Sequence, residues 1–392
     1  YRMRSIIIII IMVFFTPIFA DECVDNLRWS TANGQITVNG HPFVLKGVIY
    51  HAFQSQRFLP YGLLWQKLSS ILDVIKQHFN AIHVPLSLQL VRDNPNTSEY
   101  LNCDLNPDLC GITAIRALDI FIDQAAQRGL LVSLSNLQFD ASKSVNPPRL
   151  WYNANYTEEK VVQIWSALVA RYRRQWNVFA IDLKEGPNNN ATWGNTDRRK
   201  DWNKAAERMI NSLSKFNGLF FVDGIDWGTD LSRAAEYPIE TCRRELTDRV
   251  VYTAHCYGPD GSYPRSELED PDFPENLDDL YMERFGYLVK KGLPVIIGDW
   301  VGGIDPGSPG EKWNKWFVEW MRRNCLTNNF YWSLDPASSF ASGLLSKNWK
   351  TPNPRMIAIL DRAQPNQTKF EVRNGKICIT HGTFPEVHCS HA

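Results

Sequence analysis

The sequence predicts an α/β protein, a (β/α)8 TIM-type barrel with an N-terminal β-hairpin and a short C-terminal β-rich tail. Two observations carry that reading. Apolar runs of strand length alternate, eight times over, with longer stretches whose apolar residues recur every three or four positions. No Gly-rich phosphate loop follows the first run, which disfavours the open doubly wound sheet, the nearest rival. In a closed barrel of this kind, chemistry gathers at the C-terminal ends of the strands.

Taken in order, residues 1–20 read as a secretory signal peptide. Arg2 and Arg4 precede an apolar run from Ile6 to Phe15, and Ala20 offers a small residue for cleavage before Asp21 and Glu22. The run is short for a membrane anchor, the competing reading. The barrel is expected over 21–363 and the tail over 364–392. Leu27 to Lys46 alternates and turns at Asn33-Gly34 and Asn39-Gly40, the strongest short hairpin signal. Strand Phe43–Tyr50 follows, then helix Leu63–Phe79 and strand Ala81–Ser87. Helix Ile112–Arg128 stops at Gly129 and leads to strand Leu130–Leu137. Helix Glu158–Gln175 begins behind Thr157, an N-cap followed by two acids. The second half repeats the rhythm: strand Val178–Leu183, helix Trp202–Phe216, strand Leu219–Asp223, a short helix Leu231–Glu236 and strand Val250–Tyr257. Helix Leu277–Lys291, strand Pro294–Trp300, helix Lys312–Arg323, strand Phe330–Leu334 and helix Pro354–Asp361 close the series.

The chain has 392 residues and a formal net charge of +0, with no basic excess to serve nucleic acid. Its 14 Trp, 14 Tyr and 20 Phe suit a core, or flat surfaces on which sugar rings stack. Eight cysteines in a secreted chain imply disulfides. Cys103 and Cys110 flank a short polar loop and are expected to pair. Cys378 and Cys389 are placed to close the tail, and the partners of Cys23, Cys242, Cys256 and Cys325 stay open. No Cys/His spacing resembles a zinc site, and no cofactor is expected. Sequons stand at Asn96, Asn155, Asn190 and Asn366, in keeping with secretion.

The stretch VFAIDLKEGPNNNATWG, Val178 to Gly194, organises the rest. A buried apolar run ends there in Lys184, Glu185, Gly186 and Pro187. It resembles the fourth strand of glycoside hydrolase family 5, the cellulase-like family of endo-β-1,4-glucanase type, where the run reads close to D-L-K-N-E-P and the Glu is the proton donor. PVIIGDW, at 294–300, resembles the family's seventh-strand P-V-x-x-G-E-x run, whose Glu is the nucleophile; Asp299 stands at that position. VVYTAHCYGPD supplies the family's His and Tyr at His255 and Tyr257. FYWSLDP supplies the Trp that floors a sugar subsite at Trp332. ATWG, with Trp193, and LWYNANYT echo family loops. The resemblance spans roughly Leu27 to Leu360. It implies retaining hydrolysis of a β-glucan by two carboxyls about 5–5.5 Å apart, in a monomer that takes a polysaccharide or oligosaccharide.

The departures concentrate on the chemistry. Glu185 holds the family's Asn position, and Gly186 holds the proton donor's. Asp299 is one methylene short, which withdraws its carboxylate by roughly 1–1.5 Å; a misplacement of about 1 Å can cost on the order of a hundredfold. His83 replaces the Arg of I-R-x-P, and Ser135, Asn136, Leu137 replace Asp-x-His. Alternation along a strand aims Glu185 away from the site unless the Glu-Gly-Pro turn twists it inward. Two functions follow. One is a catalytically impaired or inactive relative that binds a glycan or a protein partner. The other is a working hydrolase with Asp299 as nucleophile and Glu185 as a displaced acid. Asp299, Glu185, His255 and Tyr257 are the candidate catalytic residues, and Trp332, His83 and Trp193 the candidate substrate contacts.

Overall fold

Short strands hold the two ends of the chain against one face of a barrel. The computed structural model describes residues 22–142, 150–259, 266–336 and 343–385; the segment read as a signal peptide, and Cys389, lie outside them. Strand β1 (Glu22–Val24) comes first. β2 (Trp29–Ala32), β3 (Gln35–Val38) and β4 (His41–Pro42) then form an antiparallel sheet, one strand more than the expected hairpin. Both of its turns are the Asn-Gly pairs. Asn33, Gly34, Asn39 and Gly40 have φ of 51°, 75°, 52° and 84°, the left-handed pairs that two-residue hairpins require.

The barrel follows. β5 (Lys46–Ile49), β6 (Ala81–Ser87), β7 (Leu131–Gln138), β8 (Val178–Asp182), β9 (Leu219–Asp223), β10 (Val250–Tyr257), β11 (Val295–Val301) and β12 (Asn329–Tyr331) pair in parallel, and β12 returns to β5. Every residue of β6, β7, β8, β9 and β11 is buried, so these strands are covered on both faces and their sequences read as near-continuous apolar runs. Helices Leu68–His78, Ala114–Gln127, Glu158–Tyr172, Trp202–Ser212, Pro309–Arg323 and Pro354–Ala363 form much of the outer layer. Thr157 caps its helix by accepting from the Lys160 N–H at 3.3 Å. Among the described residues no helix is long and apolar enough to cross a membrane.

Two expected elements differ. Leu231–Glu236 is a series of turns rather than a helix, and the crossover is completed by the single turn Arg244–Thr247. A six-residue stretch cannot repay helix nucleation, and Pro238 disfavours helical backbone at the residue before it. The helix expected over Leu277–Lys291 passes through a π-helical turn, Met282–Gly286. The short helix Leu88–Asp93, directly after β6, had no sequence signal assigned to it.

The tail is β-rich, as expected, and it is bound into the fold. β13 (Lys369–Arg373) and β14 (Lys376–Thr380) pair with each other, and β14 pairs with β1. Phe370, Ile377 and Ile379 join Trp29, Ile36, Val38 and Phe43 in one apolar cluster with Phe179, Leu219 and Phe221 of the strands. Trp29 meets Phe43, Phe179 and Phe370 at ring-centroid distances of 4.9, 5.3 and 6.3 Å. This packing corrects the pairing expected for the tail cysteines. Cys23 and Cys378 are register partners across β1 and β14, and they form a disulfide spanning 355 positions of sequence. Cys103 and Cys110 are paired, as expected.

A bond that closes so long a loop removes much freedom from the unfolded chain. Cys23→Ser with Cys378→Ser is therefore expected to lower unfolding stability by about 2–4 kcal/mol. Urea melts under non-reducing conditions measure it, and a midpoint equal to wild type would show that β1 and β14 are held by packing alone.

Candidate active site

β6 delivers His83 to the barrel interior. Its Nδ1 lies 2.9 Å from the Ser133 hydroxyl of β7, its register partner. Its Nε2 lies 3.8 Å from Asp182 Oδ2 and 3.7 Å from Glu185 Oε2, beyond hydrogen-bond reach. From β7, the Ser135 hydroxyl donates to Glu185 Oε2 at 2.5 Å, with Asp182 Oδ2 at 3.4 Å. Glu185 is thus turned inward, against the expectation from strand alternation. The reason is the turn: β8 ends at Asp182, and Gly186 takes a φ of 56°, a left-handed conformation that breaks the period-2 rule and that glycine adopts freely. Lys184, also buried, donates its ammonium to the Glu185 carbonyl.

A second chain of contacts starts from the same turn. The Gly186 N–H donates to Asp223 Oδ2 at 2.8 Å. Asp223 ends β9 and takes His255 Nε2 at 3.0 Å. The other ring nitrogen of His255 lies 2.9 Å from the Tyr257 hydroxyl and 3.9 Å from Asp299 Oδ2. The β10–β11 register shifts between Ala254 and Cys256, and the β11–β12 register between Ile297 and Asp299. Such irregularities re-aim side chains at strand ends. Tyr257 stands edge-on to Trp332 with centroids 5.8 Å apart, and Trp332 is partly exposed at the end of β12. Beside them, His51 Nδ1 lies 2.5 Å from Asp335 Oδ2.

Burial and neighbouring charge set the protonation states. Burial alone would raise Glu185, but His83, the Ser135 hydroxyl and His255 outweigh it and hold the carboxyl at about 2. Burial pushes Asp299 up; His255 pulls against it, Glu185 and Asp223 add to the rise, and the carboxyl settles at about 6. Burial opposes a charge on His255, yet Asp223 and Asp299 raise it to about 10. Asp182 is driven well above the ordinary carboxylate range by burial and by Asp223 and Glu185. Burial lowers Lys184 to about 8.

The barrel therefore brings Asp299, His255, Tyr257, Trp332 and Glu185 to one end. His83 belongs to the floor beneath them: it is buried against Asp182 and Glu185, not at a surface a sugar could reach. Trp193 is a core residue. It is buried, donates its indole N–H to the Tyr237 carbonyl at 2.9 Å and packs on Tyr252, so its sequence reading as a substrate contact is corrected. Asp182, Asp223, Ser133, His51 and Asp335 had no role assigned from the sequence. The first two carried a usable signal, because VFAID and LFFVD are buried strands that each end in a carboxylate. Among the described residues, two groups of side chains have donor atoms close enough to share a cation, His83 with Asp182 and Glu185, and Glu22 with His41 and His381.

Residues 36–338 match the family described as Cellulase (glycosyl hydrolase family 5). The chain belongs to glycosyl hydrolase family 5. It is 30% identical to an endoglucanase of Paenibacillus polymyxa over 356 residues, covering 86% of this chain and 87% of that one. It is 27% identical to the major extracellular endoglucanase of Xanthomonas campestris pv. campestris, over 82% of this chain and 68% of the other. Among solved structures, a hyperthermophilic endocellulase of Pyrococcus horikoshii superposes with a TM-score of 0.80 at 26% identity, over 87% of this chain and 99% of its own. An endocellulase from that organism has also been solved in complex with cellotetraose. The closed eight-stranded barrel is the fold this family member was expected to have.

The charges at the site predict a pH dependence. The folded protein keeps the His255 proton that an unfolded chain releases near its ordinary 6.5. Stability from this group is complete below 6.5 and is lost as pH rises toward about 10. Above 8, Lys184 works in the opposite sense, because its folded pKa is depressed. Unfolding free energy is accordingly expected to fall between pH 6.5 and 8, and Asp223→Asn to flatten that slope. Urea titrations at fixed ionic strength measure both; an unchanged slope in the variant would remove Asp223 as the group holding the proton.

Proposed function

We propose that this family 5 protein keeps a face for β-glucan-type oligosaccharide or polysaccharide and has lost most or all hydrolytic power. The observation that carries the proposal is the state of the Glu185–Gly186 turn. Gly186 occupies the position at which the resemblance places the proton donor, and it has no side chain. Glu185, its neighbour in sequence, is the carboxyl offered as a displaced acid, and it is held ionised at about 2 by His83, Ser135 and His255. A general acid has to carry a proton near the working pH and reach the leaving oxygen; family 5 chemistry of the retaining kind asks for a raised pKa at this position. Asp182 is pushed above the ordinary carboxylate range, but it is 1% exposed and out of a sugar's reach. These facts weigh against the rival reading, a working hydrolase with Asp299 as nucleophile and Glu185 as displaced acid.

Binding needs neither proton donor nor nucleophile, because catalysis depends on the difference between ground and transition state. Trp332 and Tyr257 supply a stacking edge and a hydroxyl. Secretion is part of the proposal: disulfides persist in oxidising compartments, Cys23–Cys378 and Cys103–Cys110 are formed among the described residues, and all four sequon asparagines are exposed. A protein ligand is the reading to which a failure of glycan binding would lead.

Wild type is expected to show no detectable hydrolysis of soluble β-glucans while binding cello-oligosaccharides, and Trp332→Ala to weaken that binding about tenfold, the loss of one stacked ring. Calorimetry and a reducing-sugar assay read the two. No affinity at millimolar oligosaccharide would sink the glycan reading.

Restoring the lost groups gives a stricter test. Glu185→Asn with Gly186→Glu, then Asp299→Glu, is expected to bring activity only when both carboxyls are in place. A Cβ at Gly186 would lie 3.4 Å from the Trp227 backbone, an ordinary contact, so the main obstacle is left-handed backbone, costing about 1–2 kcal/mol. Hydrolysis by wild type that Glu185→Gln abolishes would overturn the proposal.

A further inference from the structure

The floor of the barrel contains a set of groups that the glycan-binding proposal does not use. We infer that His83, Asp182 and Glu185 together bind a divalent cation. Their donor atoms all lie within 4.8 Å of one another. His83 Nε2 stands 3.8 Å from Asp182 Oδ2 and 3.7 Å from Glu185 Oε2. Those gaps are too long for hydrogen bonds. They do suit ligands of one ion, because donors that each sit about 2.0–2.2 Å from a metal stand about 3–4 Å from each other.

The surroundings point to a ligand independently of the carboxylates. His83 is 4% exposed and Asp182 1% exposed, and neither His83 Nε2 nor Asp182 Oδ1 has a hydrogen-bond partner among the described residues. Buried polar atoms seldom stay unpaired. The far side of the imidazole is already tied: Nδ1 lies 2.9 Å from the Ser133 hydroxyl. Donation from Nδ1 to Ser133 would leave Nε2 as the free ring nitrogen, facing Asp182 and Glu185 with no hydrogen bond to either. Ligating histidines are held in this way, by a hydrogen bond from the nitrogen that faces away from the metal. The Ser135 hydroxyl donates at 2.5 Å to Glu185 Oε2, the oxygen that faces His83, and leaves it a further lone pair.

Charge agrees with geometry. Among the neighbouring cations, His255 is engaged by Asp223 at 3.0 Å, and the Lys184 ammonium donates to the Glu185 carbonyl rather than to a carboxylate. Asp182 and Glu185 thus share a single serine proton. One imidazole nitrogen with two carboxylate oxygens is a donor set for zinc or manganese, not for a soft monovalent ion.

The test uses the purified full chain, stripped with chelator and titrated with Zn²⁺. The expected result is a site of one Zn²⁺ per chain that His83→Gln and Glu185→Gln each weaken at least tenfold. His381→Ala, in the partly exposed cluster Glu22, His41 and His381, is expected to leave it unchanged. X-ray absorption on Zn-loaded wild type decides the matter even where a floor variant does not fold: one imidazole in the first coordination sphere supports the floor, two assign the ion to the terminal cluster. No zinc uptake, or uptake lost with His381→Ala, overturns the inference. The measurement contains no glycan, so its outcome is separate from that of the binding proposal.

Discussion

The structure turns on how a closed barrel accommodates buried charge at one end. Closing eight strands brings Asp182, Glu185, Asp223 and Asp299 into one poorly hydrated layer. Taking an ion out of water costs several kcal/mol unless partners replace the lost hydration. The partners are shared unequally. Asp223 receives the Gly186 N–H and His255, and Glu185 receives Ser135. Asp299 faces His255 only at 3.9 Å. The same ordering appears in proton affinity, with Glu185 held at about 2 and Asp299 at about 6. His255 is the hinge of this arrangement, because its ring ties Asp223 on one side to Tyr257 and Asp299 on the other.

Much of this was legible in the sequence, and the illegible part has a common cause. The barrel could be read because the strands are covered on both faces, and burial writes itself as continuous apolar runs. Asp299, His255 and Tyr257 could be read because each lies at or near the C-terminal end of a strand within a recognisable local run. Ser133 could not: its importance lies in register, opposite His83 on the neighbouring strand. Cys23 and Cys378 are an extreme case, adjacent in register and 355 positions apart. Trp193 shows the opposite error, since an aromatic residue in a family-like loop is as useful to the core as to a ligand. Glu185 was misdirected because alternation holds only while the backbone stays extended.

That last case reaches into the chemistry. At Gly186 the chain turns left-handed, and two consequences follow from the one dihedral angle. The carboxylate of Glu185 is brought under the site, where Ser135 and His83 meet it. The N–H of Gly186 is aimed at Asp223 and becomes a structural donor. If hydrolysis is lost, as proposed above, the backbone contributes to the loss as well as the absent side chain. A glutamate placed at 186 would have to carry left-handed backbone and preserve the bond to Asp223 while reaching toward a sugar.

A floor of apolar residues would serve the fold better. Replacing buried ion pairs by well-packed hydrophobes is often neutral or stabilising, whereas, among the described residues, this chain buries Asp182, Glu185, Asp223, Asp299, His83, His255 and Lys184 at one end of its barrel. The interior cluster at the other end, built on Trp29, Phe179 and Phe370, shows that the same strands accept apolar packing readily. The charged end thus has to be explained by what it faces. Sugar hydroxyls draw on such a field through hydrogen bonds that need no proton transfer, and a cation draws on it directly. Neither of these proposed uses needs an acid at position 186, whereas hydrolysis with retention does.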